Sequence, residues 1–157
     1  MVYEFVDMSS GGGSSDLLAN GDIDAVIAMP FSRGGSEYLS SLKPAMPVVA
    51  FGRDLPTSNI SRVLVDHYQG ARKATEYLLQ LGHRRIAVVS MPASEGSTAA
   101  ARLEGFSDAM ARAEVEVAQH FIGRLENNYD LIDRFVEQLF AGKDAPTAVF
   151  VTDGGIA

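Results

Sequence analysis

Arg102 and Asp153 are the residues best suited by type and position to grip a small polar molecule. Arg102 falls near the start of an expected helix, so its side chain leans back past the helix N-terminus. A guanidinium offers a rigid fork of donors that fits paired hydroxyls or a carboxylate. The plainer reading is a solvated arginine on a surface helix. Asp153 closes the apolar run at 148–151, where a carboxylate accepts from hydroxyls or an amine. It suits equally the N-cap of a following helix, and the two roles are compatible. Asp66 stands at a similar point, after the run at 63–65, and capping the next helix is its favoured role. Thr98 is a good first-turn helix residue. Leu125, with Glu126 and Asn127 beside it, follows a further strand.

Catalytic and metal patterns do not emerge. His83 lies in Leu-Gly-His-Arg-Arg, where Gly82 takes the left-handed position that ends a helix. His83, Arg84 and Arg85 then sit at the negative end of that helix, which accounts for them without catalysis. His67 and His120 are too scattered for a metal site. No nucleophile elbow and no carboxylate pair in catalytic context is present. The glycines at 11–13 follow an apolar run, as a phosphate-cradling loop would. They lack the Gly-x-Gly-x-x-Gly spacing and the Gly-Lys-Ser/Thr ending, so a plain connection is favoured.

The elements that must position these residues alternate in type. Apolar runs at 2–6, 25–29, 48–51, 63–65, 86–89, 121–122 and 148–151 predict strands, several apolar throughout and so covered on both faces. Helices are predicted at 15–20, 36–42, 67–81, 98–113 and 128–141. Ala71, Ala74, Thr75, Leu78 and Leu81 share one face of the third. Leu103, Phe106, Met110 and Ala113 share one of the fourth, and Ile132, Phe135, Val136 and Leu139 one of the fifth. Such alternation implies right-handed βαβ units, parallel sheets and an α/β fold. In open α/β sheets ligands sit beyond the carboxyl ends of the strands. That rule gathers residues 29–31, 53–54, 66, 90–98, 125–126 and 153, which converge on one cleft if two lobes face each other.

Bulk properties narrow the function classes. With 157 residues, 46% of them hydrophobic and 21% charged, the chain can form a core without staples. It has no cysteine, which excludes disulfides and thiolate metal sites. A net charge of −7 argues against tight DNA binding by this chain alone. No apolar run approaches the ~20 residues that span a bilayer, and the start of the chain is unlike a secretory signal. A cytoplasmic protein is expected.

Specific segments point further. Residues 63–87, Val-Leu-Val-Asp-His-Tyr-Gln-Gly-Ala through Leu-Gly-His-Arg-Arg-Ile-Ala, resemble the signature of the LacI/GalR family of transcriptional regulators. Arg102-Leu103-Glu104-Gly105-Phe106 resembles that family's Arg-x-x-Gly-Phe helix. Segments 22–27, 47–53 and 146–153 resemble three of its strands, in the same order. The resemblance implies the effector-binding core of the family, with two Rossmann-like lobes of periplasmic-binding-protein type. Residues 1–83 would belong to the N-terminal lobe and 84–157 to the C-terminal lobe, each incomplete. It implies that Arg102 and Asp153 contact the effector, that Thr98 lines the pocket, and that Leu125 is a wall residue. It also implies a sugar-like effector, no cofactor, a homodimer, and operator DNA bound through a helix-turn-helix headpiece absent from this sequence.

Three readings are weighed. The favoured one is an effector sensor that is not an enzyme. The second keeps the fold and makes the chain a solute-binding protein of a sugar transporter, since fold alone cannot decide. The third is a nucleotide-dependent enzyme using the glycines at 11–13, and the motif mismatch counts against it.

Overall fold

Val48–Phe51 lies between two parallel neighbours, and its Ala50 is wholly buried. In the computed structural model, residues 24–29, 47–52, 60–93, 97–126 and 128–154 are described. The strand expected at 2–6, the helices expected at 15–20 and 36–42, and the glycines at 11–13 lie outside them.

The chain divides into two units, Met1–Val65 and Asp66–Ala157. The first holds β1 (Val26–Ala28), β2 (Val48–Phe51) and β3 (Ser61–Val63), all parallel, in the order β1-β2-β3. Ala50 packs on Ala28, Val48 and Ile60. The third strand was expected at 63–65, on the apolar Val-Leu-Val. Pairing with β2 sets it earlier: Val49, Ala50 and Phe51 face Ser61, Arg62 and Val63. Ladder register, not apolarity, places an edge strand.

The second unit contains α1 (His67–Gln80), β4 (Ile86–Ser90), α2 (Thr98–Arg112), a 3-10 turn (Gln119–Phe121), β5 (Ile122–Arg124), α3 (Tyr129–Ala141) and β6 (Ala148–Val151). Its sheet is parallel, in the order β5-β4-β6. All five residues of β4 are buried, as a central strand covered on both faces requires. Ile86 and Val88 point into a core with Leu79, Phe106, Ala109 and Met110, from α1 and α2. Ala87 points the other way, to Phe121 and Leu139, the latter from α3. The alternating side chains of one strand thus divide the helices between the two faces of the sheet.

Three expected face residues are exposed: Leu81, Ala113 and Val136 of α3. Leu81 is the C-cap of α1 and is exposed, and Leu79 takes the buried position instead. Ala113 is the exposed C-cap of α2. Gly82 does adopt a left-handed φ of 91° just beyond α1.

The division between units falls at Val65/Asp66, whereas the sequence reading placed it after residue 83. The reason is the packing of α1. At Gly105 of α2, an added Cβ would sit 2.2 Å from the Tyr68 carbonyl oxygen and 3.0 Å from the Arg72 nitrogen. The two backbones cross where only glycine fits. Tyr68 Oη also donates to Asp108 Oδ2 at 2.7 Å, tying α1 to α2 again. The helix expected in the first lobe therefore belongs with the second unit.

Candidate functional site

The site grows from the start of α2. Ser97 is the N-cap, its hydroxyl accepting from the Ala100 N–H at 3.1 Å, which leaves Arg102 about one turn into the helix. Leaning back, Arg102 Nη1 donates to the carbonyl oxygen of Thr152 at 2.8 Å and lies 3.7 Å from Asp153 Oδ2. The two side chains keep 25% and 44% of their exposure, so the pair contributes only about 0–1 kcal/mol to stability. Its consequence is directional: the guanidinium is aimed at the carboxyl end of β6.

Thr152 and Ser90 fasten that end. Thr152 N–H donates to the Val89 carbonyl at 2.9 Å, and the Thr152 hydroxyl donates to Ser90 Oγ at 3.0 Å. Both side chains are buried. Leu125 N–H donates to the Ser90 carbonyl at 2.8 Å from the other side. The carboxyl ends of β5, β4 and β6 are thus joined at Ser90, directly beside Arg102's anchor.

At the start of α1, Asp66 accepts from the Gln69 N–H at 2.9 Å, and so holds the capping role favoured for it. His67 follows, half-buried, with its pKa held below the ordinary value of 6.5. Burial is the main cause, the nearby charge of Arg102 adds to it, and Asp66 opposes it. At neutral pH the imidazole is uncharged and within electrostatic reach of Arg102.

Of the expected site residues, the structure brings Arg102 and Asp153 into contact. It joins Leu125 through Ser90 to the same strand ends. Asp66 acts on the same imidazole as Arg102. Thr98 opens α2 on the turn preceding Arg102 and is exposed. Glu126, exposed, follows Leu125, while Asn127, Arg53 and Asp54 lie outside the described residues. Thr152 and His67 were not singled out as binding residues, and Ser90 entered only as the first residue of the strand-end segment 90–98. Their one signal in the sequence is a polar residue at the end of an apolar run or the start of a helix, which is too common to select them.

His83 is elsewhere. Its Nδ1 lies 3.0 Å from Thr147 Oγ1, and Thr147 N–H donates to the Arg85 carbonyl. These contacts tie the amino ends of β4 and β6, opposite the ends that carry Arg102's partners. Among the described residues, no group of three or more His, Cys, Asp or Glu could hold a metal ion. No helix among them is long and apolar enough to cross a membrane.

The second unit is thus an α/β domain of parallel strands sandwiched by helices, with donors and acceptors gathered at the carboxyl ends, where open α/β sheets hold their ligands. Residues 13–154 match the family of periplasmic binding proteins and sugar-binding domains of the LacI family, and the chain belongs to that family. Catabolite control protein A of Priestia megaterium is 30% identical over 82% of this chain and 39% of its own length. A crystallised regulatory protein of the LacI family from Chloroflexus aggregans superposes with a TM-score of 0.74. It is 29% identical, over 90% of this chain and 50% of that one. A LacI-family transcriptional regulator from Lactobacillus casei with bound sucrose gives a TM-score of 0.68. It is 26% identical, over 90% of this chain and 52% of that one. The chain spans about two fifths of the length of the curated relatives it matches first.

Proposed function

We propose that this chain is the effector-sensing part of a LacI-type transcriptional regulator, binding a small polyhydroxylated molecule at the strand ends held by Arg102. The observation that carries the reading is the contact of Arg102 with Thr152 and Asp153 at the end of β6. It places a fork of donors beside a carboxylate acceptor, the pairing that grips a ligand carrying both hydroxyl hydrogens and lone pairs. In this reading Asp153 accepts from ligand hydroxyls, Thr98 and Leu125 border the ligand, and Asp66 acts chiefly as a cap.

The relatives support a regulator over a transport protein, since those reported above are named as control or regulatory proteins. One of them holds sucrose, which supports a sugar as the ligand class. The first unit is read as part of the N-terminal lobe and the second as part of the C-terminal lobe. Operator DNA would be contacted by a headpiece outside this sequence, in a homodimer whose two-fold matches a palindromic operator. Control of DNA binding then requires that the effector bind two states of the regulator with different affinity. No step of this function calls for catalysis.

Calorimetry of the chain against a panel of sugars, nucleosides and amino acids tests the reading. A polyol is expected to bind, and Arg102→Ala to weaken it by roughly a hundredfold, the loss from removing a charged donor in a polar site. Equal affinity for wild type and variant would remove Arg102 from the site.

A further inference from the structure

Three residues on successive turns of α2 make its contacts beyond the core. Arg102 reaches the end of β6. Gly105, three residues on, is where the backbone of α1 crosses, against the Tyr68 carbonyl and the Arg72 nitrogen. Asp108, three residues further, accepts from Tyr68 Oη at 2.7 Å. At about 1.5 Å of rise per residue, Arg102 and Asp108 stand about 4.5 Å to either side of the crossing. A single close approach is a pivot: it fixes the distance between two helices and leaves their angle to the side chains that flank it. Tyr68 supplies such a flanking contact from the first turn of α1.

Asp108 is prepared for that bond. Arg112 Nε donates to the same Oδ2 at 2.8 Å. Hydrogen bonds from Tyr68 and then Arg112 hold the carboxyl below its usual pKa, so it stays an ionised acceptor at neutral pH. The other charged side chains near this link, Arg72 and Glu76 of α1, pair with each other at 3.4 Å. His67 precedes Tyr68 in the chain and lies within electrostatic reach of Arg102. Turning α1 about Gly105 would move that imidazole relative to the guanidinium.

We propose that Tyr68 is a positioning residue of the ligand site: through its bond to Asp108 it sets the angle of α1 on α2 and so holds His67 beside Arg102. This rests on the sensing function proposed above and adds to it a residue that acts without touching the ligand. His67, uncharged at neutral pH, brings one donor and one acceptor to the strand ends. A hydroxyl-rich ligand uses them together with Arg102 when the two rest at a fixed separation, which a supporting contact behind the site provides.

His67 is its own probe. The charges that act on it are those of Arg102 and Asp66, so an uncharged change at Tyr68 reaches it by moving it. The imidazole resonances of the three histidines are followed by 1H–13C NMR through a pH titration of the ligand-free chain. Wild-type His67 is expected to titrate below 6.5. Tyr68→Phe is expected to raise its pKa toward 6.5, because burial and the proximity of Arg102 both relax, while His83 and His120 stay unmoved. Asp108→Ala is expected to act in the same direction. Asp108→Asn keeps an acceptor oxygen for Tyr68 and is expected to leave His67 at the wild-type value. A folded Tyr68→Phe protein whose His67 keeps the wild-type pKa would overturn the proposal, whatever its stability. So would an Asp108→Asn protein that behaves as Asp108→Ala does. Failure of every sugar in the panel would instead defeat the sensing function, and the histidine titration is read independently of that result.

Discussion

Arg102 Nη1 donates to the carbonyl oxygen of Thr152 at 2.8 Å, fixing the helix that begins at Thr98 to the end of the strand Ala148–Val151. The contact spans fifty residues of sequence and joins a side chain to a main-chain atom. Substituting Thr152 does not remove that carbonyl, and the bond depends instead on where the end of β6 is held. The hydroxyl pair of Thr152 and Ser90 holds it.

Thr152→Val is therefore expected to destabilise the fold by about 1–3 kcal/mol, because Ser90 Oγ is left buried without its donor. Thr152→Ser keeps the hydroxyl and is expected to recover most of the loss. Urea denaturation followed by circular dichroism measures both. A valine variant as stable as wild type would show that the hydroxyl pair does not fasten the strand ends.

The two glycines near the helix crossing should respond in opposite ways. Gly105→Ala forces a Cβ against the Tyr68 carbonyl and is expected to cost about 3 kcal/mol or more. Gly70, exposed and inside α1, has open space where a Cβ would stand. Gly70→Ala is expected to stabilise by about 0.5–1 kcal/mol through helix propensity. Thermal unfolding of the two variants side by side checks the contrast.

Asp66→Ala removes the cap of α1 and is expected to cost about 1 kcal/mol of stability, with Asp66→Asn close to neutral. If Asp66 instead serves mainly to bind ligand, the alanine variant would lose affinity while keeping its unfolding midpoint.

The fold was legible wherever one local signal decided the outcome. The strand 48–51 directly follows Pro47 and the strand 148–151 follows Pro146-Thr147, and both lie where apolarity placed them. Asp66 and Gly82 mark the ends of α1 by their chemistry alone. The errors occur where partners decide. β3 follows its ladder to β2 rather than the apolar Val-Leu-Val, and the phase of α1 buries Leu79 instead of Leu81. The association of α1 with the second unit depends on Gly105, thirty-some positions away, admitting the backbone at Tyr68. Arg102 and Asp153 were legible as a candidate pair from their side chains and from family resemblance. The Ser90–Thr152 link was not, because it exists only through the register that sets Val89 beside Val151.

Stability should also report the environment of His67. Its folded-state pKa lies below the unfolded value near 6.5, so the unfolded chain binds the proton more readily. Stability is then expected to fall as pH drops from about 6.5 through the folded pKa of His67. Asp108 contributes at lower pH. Hydrogen bonds from Tyr68 and then Arg112 hold its carboxyl below the usual value, so its contribution is present above the unfolded pKa and disappears as pH falls through the folded one. His67→Asn should flatten the first of these changes and leave the second. Urea midpoints measured from pH 7.5 to 3 separate them, and an unaltered slope near pH 6 in the asparagine variant would contradict the assignment.

The account as a whole turns on ligand contact at the carboxyl ends of β4, β5 and β6. Two-dimensional 15N–1H NMR of the chain, titrated with the tightest-binding neutral sugar of the panel, observes that contact residue by residue. Shifts are expected at Ser90, Thr98, Arg102, Leu125, Thr152 and Asp153, including the guanidinium resonance of Arg102. Shifts confined to the opposite strand ends, at His83, Arg85 and Thr147, would contradict it.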